Sequence, residues 1–179
     1  MSNHYFIGIG LTAEAAGKLA EDRDNWKLRS HKQLIPSVDM HITLVYIGAD
    51  PYGELPDVQR ALRQIEQQPF EVTVSGTGTF GNPETPRVIY GKIGENSRLR
   101  ALQQEVSDAL EPFRLRPDRR PYVPHITLAK KWRGTASLDR KLELRPVSFP
   151  VREFSLFKVN LGQTPRYEAI YTFPLGAGD

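Results

Sequence analysis

The stretches HITLVYIG (residues 41–48) and HITLAKKW (residues 125–132) share the tetrapeptide His-Ile-Thr-Leu, 84 positions apart. Each copy lies in an apolar, β-branched run that reads as a strand. In a strand, residues two apart project to the same side. Each copy therefore offers one imidazole and one hydroxyl on one face, with Ile and Leu on the other. The chain has only four histidines, and two of them occupy identical settings.

Working outward, the same offset relates other features. Thr12 reads as a helix N-cap, followed by Glu14 and the stripe Ala15, Ala16, Leu19 and Ala20. Its counterpart is Asn96, ahead of Leu99, Leu102, Val106, Leu110 and Phe113. Phe6 in the apolar strand 4–10 corresponds to Tyr90 in the strand 87–93, and Phe70 to Phe154. One offset relating strands, a cap and the motif points to an internal duplication, with repeats at about 4–78 and 88–162. A pseudo-twofold would bring both His/Thr pairs to one cleft. Between these elements the pattern predicts a polar loop over 27–39, a helix over 56–67, a half-buried strand over 70–78 and a basic loop over 114–121. Beyond them it predicts a second motif strand over 122–131, a helical turn at 138–142, and final strands over 147–160 and 167–173.

With 179 residues, the chain suffices for one domain or two small lobes sharing a core. It has no cysteine, which rules out disulfides and thiolate metal sites and fits a reducing cytoplasm. No apolar run is long enough to span a membrane. The start reads as a first strand, not a signal peptide. A net charge of +3 mildly favours an anionic partner.

Two imidazoles facing one centre can divide acid–base labour, the neutral one taking a proton and the protonated one giving it. In-line displacement at phosphorus suits this, because attacking and leaving oxygens lie on opposite sides. The threonine hydroxyls can donate to the non-bridging oxygens where charge accumulates. The basic run before His125 makes Arg120 the best single anion-binding candidate. Lys130 is a second candidate, although strict alternation places it on the opposite strand face. Tyr46, Tyr90, Tyr122 and Trp132 can stack on bases, as single-strand RNA readers require, and Phe6, the first-half counterpart of Tyr90, is a further base-stacking candidate. His4 and His31, unduplicated and in polar surroundings, read as solvated surface residues. The two motif histidines lack the spacing of a metal site, so no metal or other cofactor is expected.

The paired motifs in a chain of this length resemble the two-histidine (2H) phosphoesterase superfamily. More narrowly, the chain resembles the RNA 2′,3′-cyclic phosphodiesterases, historically called 2′–5′ RNA ligases. The opening Tyr5-Phe6-Ile7-Gly8-Ile9, the stretch from Arg120 to Lys130, and Phe154 to Leu161 with Arg166-Tyr167 carry the narrower resemblance. Where the family usually has arginine, this chain has Lys130. The resemblance implies an α+β fold over residues 1–179, a single bilobal pseudo-twofold domain with an antiparallel sheet and helices in each lobe and a central cleft. It implies metal-independent hydrolysis of an RNA terminal 2′,3′-cyclic phosphate to a 2′-phosphomonoester, with 2′–5′ ligase activity in vitro in some members. It carries over His41 and His125 as the acid–base pair, and Thr43 and Thr127 as phosphate binders; the expectation is His41 as proton donor and His125 as proton acceptor, a direction that the symmetric motif itself leaves open. The expected partners are RNA ends or small nucleotides, for a monomer with no membrane partner. Three alternatives stay open: a non-catalytic RNA- or nucleotide-binding module, a 2H enzyme acting on a small cyclic nucleotide, and a metal hydrolase.

Overall fold

The computed structural model describes residues 2–115 and 120–176. The elements run β1 (His4–Gly10), α1 (Ala13–Asn25), β2 (His31–Leu34), β3 (His41–Gly48), α2 (Leu55–Leu62), β4 (Phe70–Phe80), β5 (Val88–Ile93) and α3 (Ser97–Leu110), then β6 (His125–Trp132), β7 (Val147–Val151), β8 (Glu153–Val159) and β9 (Tyr167–Pro174). All strand pairs are antiparallel, in the order β7-β4-β5-β6-β3-β1-β8-β9, with β2 added to β6. The fold is therefore α+β, as expected. The two halves of the sheet meet at β3 and β6 through one registered pair, Ile42 opposite Ile126. The two sequence repeats also interleave: β4 of the first pairs with β5 and β7 of the second, Val72 opposite Phe149, and β8 of the second pairs with β1 of the first. Ile42, Ile126, Val72 and Phe149 are at most 1% exposed, so both of these pairings lie in the apolar core.

The two long helices start as their sequences require. The Thr12 hydroxyl accepts from the Ala15 N–H at 3.2 Å, and the Asn96 side-chain carbonyl accepts from the Leu99 N–H at 3.0 Å. Each helix packs on strands of the other repeat, α1 on β6 and β7 and α3 on β3. Leu19 of α1 and Leu99, Leu102 and Val106 of α3 are fully buried at these contacts. The shorter α2 buries Leu55, Val58 and Leu62, and the Asp50 carboxylate accepts from the N–H groups of Glu54 and Leu55 at its start.

Several elements differ from the sequence pattern. The predicted loop 27–39 contains β2 and a 3₁₀ turn at Ser37–Asp39. The second motif strand begins at His125, not at 122. Residues 138–142 form no helical turn; Leu142 and Leu144 are buried, and the Leu142 carbonyl accepts from the Thr77 hydroxyl. The predicted strand 147–160 breaks at Arg152, because β7 pairs with β4 while β8 pairs with β1. Most of the basic loop, residues 116–119, lies outside the described residues.

The constant offset also slips. Gly8 pairs with Thr43 and Tyr90 with Thr127, so the ladder aligns Tyr90 with Gly8 and not with Phe6. Similarly, Phe157 lies beside Phe6 and Phe80 beside Val88, at matching places in the two halves.

Candidate active site

Antiparallel pairing with Ile42 opposite Ile126 fixes where the motif side chains go. Their neighbours, His41 beside Thr127 and Thr43 beside His125, project to the face opposite the buried isoleucines. Two imidazoles and two hydroxyls thus share one patch, all of them half-buried.

Each motif strand then breaks its alternation at the same point. Ile7 pairs with Val45 and Gly8 with Thr43, leaving Leu44 as an extra residue. Ile89 pairs with Ala129 and Tyr90 with Thr127, leaving Leu128 extra in the same way. These are β-bulges. Leu44 and Val45 are both buried, as are Leu128 and Ala129. The bulge returns Lys130 to the face of His125 and Thr127, correcting the opposite-face expectation, and does the same for Tyr46.

Side chains of the crossing helices hold both bulge carbonyls. Arg23 of α1, only 5% exposed, donates through Nη1 to the Leu128 carbonyl at 3.0 Å and also to the Ile35 carbonyl. Gln103 of α3 donates to the Leu44 carbonyl at 3.4 Å.

Each imidazole is oriented by the carbonyl two residues earlier. His41 Nδ1–H donates to the Asp39 carbonyl at 2.8 Å, and His125 Nδ1–H to the Val123 carbonyl at 2.7 Å. A carbonyl can only accept, so in the neutral rings Nε2 is the basic nitrogen in both. The Thr43 hydroxyl lies 3.1 Å from His41 Nε2 and donates to it when that ring is neutral.

Burial lowers His41 from the ordinary histidine value to about 4, the Asp39 carbonyl opposing the shift and the charges of His125 and Lys130 adding to it. Burial lowers His125 as well, with the Val123 carbonyl working against it. The coupling between His41 and His125 reflects their proximity across β3 and β6.

Aromatic rings support both imidazoles. Phe6 lies 4.7 Å from the His41 ring centroid and 5.0 Å from that of Phe157, and Tyr167 meets His41 edge-on at 4.7 Å. Phe6 is 2% exposed, so it is a packing partner of His41 and not a surface for a base. Around His125, Phe80 sits edge-on at 4.9 Å and Tyr90 at 5.3 Å. Tyr90 remains half-exposed beside the imidazole. Its ring passes over Gly78, where a Cβ would lie 2.4 Å from a ring carbon. Tyr122 is anchored at its hydroxyl, which donates to the Thr43 carbonyl at 2.8 Å and fixes the position of its ring.

Lys130 and Arg166 bring positive charge to the His41 side. Burial lowers the Lys130 ammonium, as do the charges of Arg166 and Lys131, while Asp39 works the other way. The buried Asp39 carboxylate accepts from the Arg166 N–H at 2.8 Å, tying the approach to β9 to the motif. Arg120 is exposed and lines a concavity along α3 with Arg100 and Tyr122. Asp39, Phe80, Arg166 and Tyr167 escaped the sequence reading as site residues. Of these, Asp39 carried a signal in its place two before the motif histidine, and Arg166 and Tyr167 in the resemblance of the final strands.

His31 departs from the surface expectation. It is 3% exposed, its Nε2 is 2.8 Å from the Pro86 carbonyl, and its ring packs edge-on against Trp132. Trp132 is thereby engaged in packing. His4 is exposed, with its Nδ1 2.7 Å from the Tyr46 hydroxyl. Among the described residues no group of three or more His, Asp or Glu side chains is placed to hold a metal ion.

The backbone superposes on Escherichia coli LigT complexed with 3′-AMP with a TM-score of 0.86 at 20% identity, covering 99% of this chain and 100% of that one. It superposes on TT0787 of Thermus thermophilus at 0.78 and 27% identity, covering 96% and 97%. This is the fold of the two-histidine phosphoesterases. In sequence, a Geobacillus stearothermophilus protein named RNA 2′,3′-cyclic phosphodiesterase is 34% identical over 99% of this chain, which spans 59% of that relative's length. A Bacillus subtilis (strain 168) protein of the same name is 31% identical over 96% of each chain. Residues 16–163 match the profile of the 2′-5′ RNA ligase superfamily, and the chain belongs to that family.

Proposed function

We propose that this protein is a phosphodiesterase that hydrolyses the terminal 2′,3′-cyclic phosphate of RNA to a 2′-phosphomonoester, without a metal. The observation that carries this reading is the single patch formed by His41, Thr43, His125 and Thr127. Two relatives that match almost all of this chain are named for the same activity.

In this mechanism His125 Nε2 takes a proton from water as the water attacks phosphorus. The P–O3′ bond breaks, and the departing 3′ oxygen receives a proton from His41 Nε2. The products are a 2′-phosphate and a free 3′-hydroxyl. Thr43 and Thr127 donate to the non-bridging oxygens, and Lys130 supplies positive charge beside them. When His41 is protonated, the Thr43 hydroxyl no longer donates to it and can turn to the phosphoryl group.

The environments suit this division of roles. A buried imidazolium near pKa 4 is a strong acid and gives its proton readily to an alkoxide. In neutral His125 the Val123 carbonyl holds the proton on Nδ1, which leaves Nε2 as the nitrogen that can take a proton from water. The cost is a small protonated fraction of His41, which the incoming phosphate anion offsets by stabilising the imidazolium. We further propose that the protein works as a monomer in the cytoplasm. Both half-sites lie in one chain, the sequence lacks cysteine, and no helix among the described residues is long and apolar enough to cross a membrane.

The test is turnover of an oligonucleotide ending in a 2′,3′-cyclic phosphate, in the presence of EDTA. Wild type is expected to yield the 2′-phosphate, and His41→Ala and His125→Ala to lose about 10²–10⁴-fold each. No ring opening by wild type, or normal rates in both variants, would overturn the reading.

A further inference from the structure

A cleft of about 180 Å³ opens directly beside His125 and is not used by the chemistry above. Its walls include Tyr90, Lys92, Glu95, Arg100, Tyr122 and Val123. Four of these connect it physically to the reacting centre. Lys92 is the direct cross-strand partner of His125, so both side chains leave the sheet on the same face. Tyr90 packs on the His125 ring, and the Val123 carbonyl orients that ring. Tyr122 closes the opposite wall while its hydroxyl holds the backbone of Thr43. Whatever occupies the cleft is thus within reach of the same phosphate.

The lining has the chemistry of a single-strand nucleic-acid track. It combines two aromatic rings with two cations, Lys92 exposed and Arg100 about half exposed. The acidic wall residue Glu95 is engaged by Arg100, its Oε1 2.8 Å from Nε, which holds the guanidinium and leaves its outer nitrogens for another acceptor. Arg100 and Tyr122 also border the next concavity along α3, of about 570 Å³. The two hollows therefore adjoin across the same pair of residues, a route for a polymer and not a closed pocket for a mononucleotide.

We propose that this cleft is a subsite for the nucleotide 5′ to the cyclic-phosphate end, its base against Tyr90 and Tyr122 and its phosphodiester between Lys92 and Arg100. This rests on the cyclic-phosphate reading and refines its substrate class to oligonucleotides over mononucleotides. Sequence-tolerant stacking and backbone charge contacts of this kind also make binding salt-dependent.

The experiment compares kcat/KM for a tetranucleotide ending in a 2′,3′-cyclic phosphate with that for the matching mononucleoside 2′,3′-cyclic phosphate. Wild type is expected to favour the tetranucleotide by on the order of tenfold or more. In Arg100→Gln that ratio is expected to fall toward one, because the loss is confined to the longer substrate. A wild-type ratio near one, or the same ratio in wild type and Arg100→Gln, would overturn the subsite. If wild type turns over neither substrate, the cyclic-phosphate reading fails, and fluorescence anisotropy with a labelled single-stranded tetranucleotide decides the subsite alone. There, tighter binding by wild type than by Arg100→Gln with a steeper salt dependence supports it, and equal binding overturns it.

Discussion

His41 and His125 share one ring orientation but not one electrostatic setting. Both are held below the ordinary histidine value, His41 to about 4. The active form of such a pair carries one proton, so kcat/KM is expected to follow a bell whose two limbs both lie below ~6.5. Bound phosphate favours the protonated rings, so the kcat profile is expected at higher pH than that of kcat/KM. A kcat/KM optimum well above 7 contradicts these environments. The same depression affects stability. The unfolded chain takes up the His41 proton first, so the stabilisation is fully present above about 6.5 and is lost as pH falls toward 4. The loss is on the order of 3 kcal/mol. Urea unfolding from pH 7 to pH 4 is expected to show less acid loss in His41→Gln than in wild type. At this scale the two histidines and two threonines were legible because i and i+2 share a strand face. Lys130 was legible as a cation beside the motif but its strand face was not, since no single residue announces the bulge at Leu128. His31 was misread because its polar flanks, Ser30 and Lys32, conceal a ring buried against Trp132.

Two elements depend on interactions remote in sequence. The bulge at Leu128 directs Lys130 to the site, and its carbonyl is held by Arg23 from α1. Arg23→Gln is therefore expected to weaken turnover through Lys130. In a double-mutant cycle its effect on kcat/KM should largely vanish in a Lys130→Ala background; additive effects in both backgrounds would mean that Arg23 only stabilises the fold. Gly78 is the second case. A Cβ there would lie 2.4 Å from a carbon of the Tyr90 ring, so Gly78→Ala is expected to displace Tyr90 from His125 and lower kcat/KM by about tenfold or more. Adding Tyr90→Ala should restore the fold stability lost in Gly78→Ala but not the turnover. Helices α1 and α3 could be read from caps and apolar stripes because those signals are local. The segment 138–142 could not, because its backbone partners, the Glu84 carbonyl for the Leu138 N–H and the Thr77 hydroxyl for the Leu142 carbonyl, are remote in sequence, and the leucine spacing only mimics a helical face. The break at Arg152 follows from a change of pairing partner, which leaves no local mark.

Across the whole molecule, the halves of the sheet are joined at Ile42–Ile126, the repeats interleave through β1–β8, β4–β5 and β4–β7, and each long helix packs on strands of the other repeat. Neither half buries its own core, so unfolding is expected in one cooperative transition; two resolved calorimetric transitions would contradict that. Phe149→Ala, at a junction far from the histidines, is expected to cost about 3–5 kcal/mol in stability. The repeated motif made this architecture visible in the sequence. The slip of the offset at β1 and β5 was hidden, since the registers of remote strands set it. The central claim is that His41 gives a proton to the leaving 3′ oxygen while His125 takes one from water. The most direct measurement uses a 2′,3′-cyclic substrate with sulfur in place of the bridging 3′ oxygen, whose thiolate leaves without a proton. The account predicts that His41→Ala regains most of its lost rate on this substrate while His125→Ala does not. Recovery in His125→Ala alone, or in neither variant, would contradict it.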